Sequence, residues 1–74
     1  MPEQIILVDG RWLPPPEPME KVLTALALLR PGQHLSFLIH REPQPLYGIL
    51  ENMGYRHVTR TLPDGCFEIR IEPR

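Results

Sequence analysis

Ten of the 74 residues are proline, well above the ordinary share of about 5%, and their placement dictates where regular structure can begin. Pro16-Glu17-Pro18-Met19-Glu20-Lys21-Val22-Leu23 and Pro43-Gln44-Pro45-Leu46-Tyr47-Gly48-Ile49-Leu50 share the pattern Pro-x-Pro-Φ-x-x-Φ-Φ. Proline has a fixed φ and no amide hydrogen, so it suits the first turn of a helix and is excluded from the interior. Two helices are therefore expected to start in the same way. In the first, Met19, Val22, Leu23, Leu26 and Leu29 form one apolar stripe from about Pro18. Glu17 and Glu20 fall in its first turn, Arg30 in its last, and Pro31-Gly32 ends it. The second sets Leu46, Ile49, Leu50 and Met53 on one face and closes on Gly54 in a left-handed cap position. Gly48, mid-helix, predicts a close backbone contact. Pro14-Pro15-Pro16 is expected to run extended, because a residue before proline avoids the α region.

The remaining apolar segments have strand character. Ile5-Ile6-Leu7-Val8, closed by Asp9-Gly10, is a continuous run expected of a strand covered on both faces or central in a sheet. Leu35 to Ile39 reads as a second, parallel strand. Tyr55 to Leu62 and Cys66 to Glu72 flank Pro63-Asp64-Gly65, a turn with glycine in the left-handed position, and so form an antiparallel hairpin. A three-residue loop sets Arg60 opposite Glu68 and Arg56 opposite Glu72, pairs that a two-residue Asp-Gly turn would break, and is preferred for that reason. It turns Phe67, Ile69 and Ile71 to the core and points Cys66 away, exposed on the open sheet face. Right-handed crossovers put both helices on one side. The fold class is α+β: residues 1–74 form a single two-layer α/β sandwich, β-α-β-α-β-β, with a mixed four-stranded sheet.

Composition removes several functions. Hydrophobic residues at 42% and charged residues at 23% describe a globular chain and not a disordered one. A net charge of −1 supplies no field for nucleic acid or anionic lipid, so neither nucleic acid nor membrane is an expected partner. One cysteine permits no internal disulfide and no cysteine zinc cluster. The start Met1-Pro2-Glu3-Gln4 has no basic leader segment, and no apolar run is long enough for a membrane helix. A cytoplasmic location is the expectation.

Parallel β-α-β geometry gathers the strand ends and helix starts at one rim, the usual ligand edge of open α/β sheets. Asp9, Arg11, Trp12, Pro15, Glu17, His40, Arg41 and Glu42 are expected there. Two arginines and two helix starts could hold a small anion or a partner's carboxylate. Against this, Pro16, Pro18, Pro43 and Pro45 each lack an N–H, so the rim reads equally as a proline-stiffened cap. Trp12 is either an interface anchor or a cover over the sheet edge. His34 and His40 flank one strand, roughly 20 Å apart, and no His-x-x-x-His or Cys-x-x-Cys spacing exists; no metal and no cofactor are assigned. Cys66 is placed away from the helix starts, as an incidental thiol. No catalytic set is found.

Asp9-Gly10, Leu13 and Pro15-Pro16-Glu17-Pro18, within this layout, resemble the TusA/SirA-like sulfur-carrier superfamily over nearly the whole chain. Sulfur carriers of that kind open the helix with Cys-Pro-x-Pro, and their cysteine carries a persulfide; here the position is Pro15, which has no nucleophile. The closer resemblance is to the cysteine-lacking branch, bacterial domain of unknown function 2249, whose loop motif is similar to Arg41-Glu42-Pro43-Gln44-Pro45-Leu46. The resemblance implies strand order 1-2-4-3, with the third strand at an edge where Arg56 and Arg60 discourage stray pairing. It also implies relatives that stand alone or are joined to hemerythrin-like and other redox-linked domains. The leading expectation is a non-catalytic binding or adaptor domain acting through Arg11, Trp12, Pro15, Glu17, His40, Arg41 and Glu42, on a protein partner or small anionic ligand. The alternatives are sulfur transfer by Cys66 and binding of a small anion or metabolite. RNA binding is disfavoured by the acidic balance.

Overall fold

Both helices start where the prolines put them. In a computed structural model, which describes residues 4–74, the order is β1 (Gln4–Asp9), α1 (Glu17–Ala27), β2 (Gln33–Ile39), α2 (Gln44–Asn52), β3 (Tyr55–Thr61) and β4 (Phe67–Pro73). Residues 1–3, including most of the segment read as lacking a leader, lie outside the described part. Pro16 and Pro43 are the N-cap residues, neither helix has a side-chain cap, and Glu17 and Glu20 occupy the first turn of α1. The helix ends at Ala27, earlier than its apolar stripe suggested. Arg30 therefore lies beyond the last turn and does not complement the dipole. It belongs instead to a tight return: its N–H donates to Gln33 Oε1 at 2.7 Å, and the Gln33 N–H to its carbonyl at 3.0 Å. Gly32, at φ +83°, makes that reversal.

The sheet order is β1-β2-β4-β3, with β1 parallel to β2 and the other pairs antiparallel. One face carries Val8, Leu35, Phe37, Ile39, Ile69 and Ile71, against which Val22 and Leu26 of α1 and Leu46 and Leu50 of α2 are buried. Phe37 sits at the centre, and truncating so large a side chain to alanine costs about 3–5 kcal/mol. Tyr47 ties α2 to β3. Its hydroxyl bonds Thr59 Oγ1 at 2.6 Å and its ring stacks on His57 at 4.3 Å, while burial pushes its phenol pKa up.

The other face is open and salt-bridged. Arg60 opposes Glu68 and Arg56 opposes Glu72 in the expected register, and both pairs are formed. Ser36 is buried on this face, its hydroxyl donating to Glu68 Oε2 at 2.6 Å. That bond, ahead of Arg60 and Arg70, holds the Glu68 carboxyl below its ordinary pKa. The expectation for β1 needs correction. As an edge strand it is covered on one face only, and Ile5 and Leu7 are exposed while Val8 is buried.

Glycine matters at a different place from the one the sequence suggested. Gly48 has nothing within 4 Å of where a Cβ would stand, so no close contact explains it. Gly10 is buried, its N–H donates to the Leu38 carbonyl at 2.8 Å, and a Cβ there would lie 2.9 Å from Phe37 Cε1 and 3.1 Å from Pro18 Cβ. Gly10→Ala should therefore destabilise by about 1–3 kcal/mol, whereas Gly48→Ala should stabilise by up to about 1 kcal/mol. Urea unfolding of the two variants checks both signs.

Candidate functional site

Parallel pairing sets Asp9 beside Leu38 and brings the ends of β1 and β2 to one edge, where α1 and α2 begin. The hairpin reaches the same edge, because β4 runs antiparallel to β2 and Phe67 opposes Ile39. Cys66 is therefore at the rim, not remote from it, and it is 2% exposed, not open to solvent. Its N–H donates to Asp64 Oδ1 at 3.0 Å and its carbonyl accepts from the Leu62 N–H at 2.8 Å, closing the three-residue loop. Burial, then the Asp64 carboxylate, pushes the thiol pKa up. A thiol so placed is a poor nucleophile.

The turn after β1 is locked from within. The Asp9 carboxylate accepts three bonds from Arg11: the backbone N–H at 3.0 Å, Nε at 3.0 Å and Nη2 at 2.9 Å. Those bonds draw the Asp9 pKa down to about 2. Arg11 also lies 3.9 Å from Asp64 of the hairpin loop. The guanidinium is thus committed to Asp9 and is not the free cation that an anion site requires.

Trp12 follows with φ +66°, a left-handed conformation rare for a bulky residue. Its N–H donates to His40 Nδ1 at 2.9 Å, which fixes the proton of neutral His40 on Nε2. The two rings stack with centroids 5.0 Å apart. At 75% exposed, the indole is presented to solvent and adds nothing to the core. Pro14, Pro15 and Leu13 continue the wall, and with Arg41 they line a cleft of about 390 Å³. A smaller cleft of about 180 Å³ joins Pro15 to Pro16, Pro18 and Pro43 across the two helix starts. Pro14 to Pro16 does not run extended: the Pro15–Pro16 peptide is cis and the Glu17 N–H returns to the Pro14 carbonyl at 3.0 Å.

The other expected residues separate. Arg41 is exposed and has no ion pair with a described residue. Glu42 accepts from the Tyr47 hydroxyl at 3.1 Å and so braces α2. Glu17 faces a different groove, between α1 and β1. Amide donors are scarce at both helix mouths. Glu17 N–H bonds Pro14 O, Gln44 N–H bonds Glu42 O, Leu46 N–H bonds Pro43 O, and Pro18 and Pro45 have none. No group of three or more His, Cys, Asp or Glu suited to a metal occurs among the described residues. Sequence reasoning missed Gly10, Leu13 and the hairpin tip. The signal for the last was present, since a fourth strand antiparallel to the second must begin at the rim.

A family model described as "Uncharacterized conserved protein (DUF2249)" matches residues 7–73. The chain belongs to this family. The crystal structure of a SirA-like protein from Desulfitobacterium hafniense is similar, with a TM-score of 0.79 and 26% identity over 89% of this chain and 93% of that one. The comparison with curated proteins finds no match. In this DUF2249 chain Pro15, which the resemblance to sulfur carriers sets at their cysteine position, is a wall of the cleft.

Two measurements probe the rim. The Asp9 pKa lies below its ordinary 3.8, so its pairing stabilises the fold above about pH 4 and that contribution fades as pH falls toward 2. Asp9→Asn should cost up to about 1 kcal/mol at neutral pH, the range for exposed pairs, and approach wild-type stability near pH 2 in urea titrations. Iodoacetamide should alkylate Cys66 far more slowly in the native protein than in urea, as mass spectrometry would show.

Proposed function

We propose that this DUF2249 domain is a non-catalytic binding module whose rim docks a protein segment. The observation that carries the reading is the exposed Trp12 held on His40 by a backbone hydrogen bond and ring stacking, beside Arg41, which has no ion pair among the described residues. A large rigid aromatic presented to solvent loses little entropy on burial and serves as an anchor. Arg41, next to the positive ends of two helix dipoles, favours a carboxylate on the partner. An adaptor placed in bacterial redox, nitrogen or sulfur metabolism is the finer form of this proposal, and the family itself is described only as uncharacterised.

A free small anion is the weaker occupant, because Arg11 is engaged by Asp9 and the helix mouths are poor in amide donors. Sulfur relay through Cys66 is opposed by its burial and raised pKa. Titration with short peptides that set a carboxylate beside an apolar residue should shift the Trp12 indole and Arg41 side-chain resonances. Inorganic phosphate should leave them in place. Trp12→Ala should weaken peptide binding by about 2 kcal/mol, roughly thirtyfold, and Arg41→Glu should weaken it further. Binding that survives both substitutions would overturn the reading, as would a persulfide formed on Cys66 by a cysteine desulfurase.

A further inference from the structure

We infer that β1 is a pairing edge at which a second copy of this chain adds its own β1 antiparallel, continuing the sheet across a two-fold axis. This surface is separate from the Trp12 cleft and does not depend on the function proposed for it. The sheet has two edges, and they are built differently. On β3, Arg56 and Arg60 flank Val58 on the open face and pair with Glu72 and Glu68, a charged row that resists strand addition. On β1, Gln4-Ile5-Ile6-Leu7-Val8-Asp9 has no proline and no cation. Its open-face residues Ile5 and Leu7 are 51% and 64% exposed. An apolar edge whose own residues carry no such cations invites pairing between Gln4 and Val8.

One register suits a second copy of the same strand. Residues directly opposed in an antiparallel pair share a face of the sheet, so in self-pairing their numbers sum to an even value. Centred on Ile6, the strand sets Ile6 against Ile6 of the second copy on the helix face. Ile5 then meets Leu7 twice on the open face, once in each copy. Centred on Leu7, it would set Ile5 against Asp9, whose carboxylate already accepts three bonds from Arg11. Both arrangements are isologous by symmetry, and the first alone opposes apolar to apolar at the open-face positions.

The flank agrees. A groove of about 710 Å³ runs between β1 and α1, with Leu7, Leu13, Ala25 and Leu28 among its lining. The same axis sets the two α1 helices antiparallel. Glu17, Glu20 and Lys21 on the groove side offer each copy both signs of charge, and Lys21 is held at the β1 edge by its bond to the Asp9 carbonyl at 3.1 Å.

Sedimentation equilibrium across a concentration series should give a reversible dimer. Leu7→Lys should raise its dissociation constant at least about tenfold, while Val58→Lys, on the opposite edge, and Trp12→Ala, in the rim, should leave it unchanged. Leu7 is exposed, so the variant should fold, with circular dichroism as the check. Amide exchange supplies a readout independent of any substitution: the outward backbone N–H groups of β1 should gain protection as wild-type concentration rises. A chain monomeric throughout would overturn the inference. So would a dimer indifferent to Leu7→Lys, or one whose β1 amides stay unprotected, which is the outcome expected if the edge serves another protein's strand.

Discussion

Strand β2 pairs parallel with β1 on one side and antiparallel with β4 on the other, and that asymmetry organises the molecule. The parallel side requires a crossover, which α1 supplies, and places the exits of β1 and β2 at one edge. The antiparallel side returns the chain from β3 through the hairpin and delivers Asp64 and Cys66 to the same edge. Phe37, in the middle of β2, packs so closely beneath the first turn that only a glycine fits at position 10. The rim is thus held by the core and not by the loops that form it.

The sequence announced the elements well where a local cause sets them. Prolines marked both helix starts, Gly54 and Gly65 took the left-handed positions expected of them, and the charge pairs Arg60–Glu68 and Arg56–Glu72 selected the right loop length. It misled where a tertiary cause intervenes. An unbroken apolar run at Ile5 to Val8 looks the same whether a strand is central or at an edge that awaits another surface. The apolar stripe continued to Leu29 although the helix stopped at Ala27, because Leu29 packs on the core from the connecting segment.

Site residues divide along the same line. Their convergence was readable from topology, but their partners were not. Nothing local told that Arg11 would spend its guanidinium on Asp9, that Glu42 would serve Tyr47, or that Trp12 would turn left-handed to reach His40. These are contacts between groups two to twenty-eight residues apart, decided by where the strands end. Cys66 is the clearest example: alternation set it on the open face with Glu68, yet it is buried at the rim beside Asp64.

The prolines at the helix mouths carry a consequence for life in a crowded cell. A helix start ordinarily attracts nucleotides, sulfate and sugar phosphates through its bare amides. Here most of those amides are deleted by proline or turned back on the chain's own carbonyls, while the dipole's long-range pull persists. On the proposed reading, such an entrance offers little to a bare phosphate and more to a ligand that fits the cleft by shape.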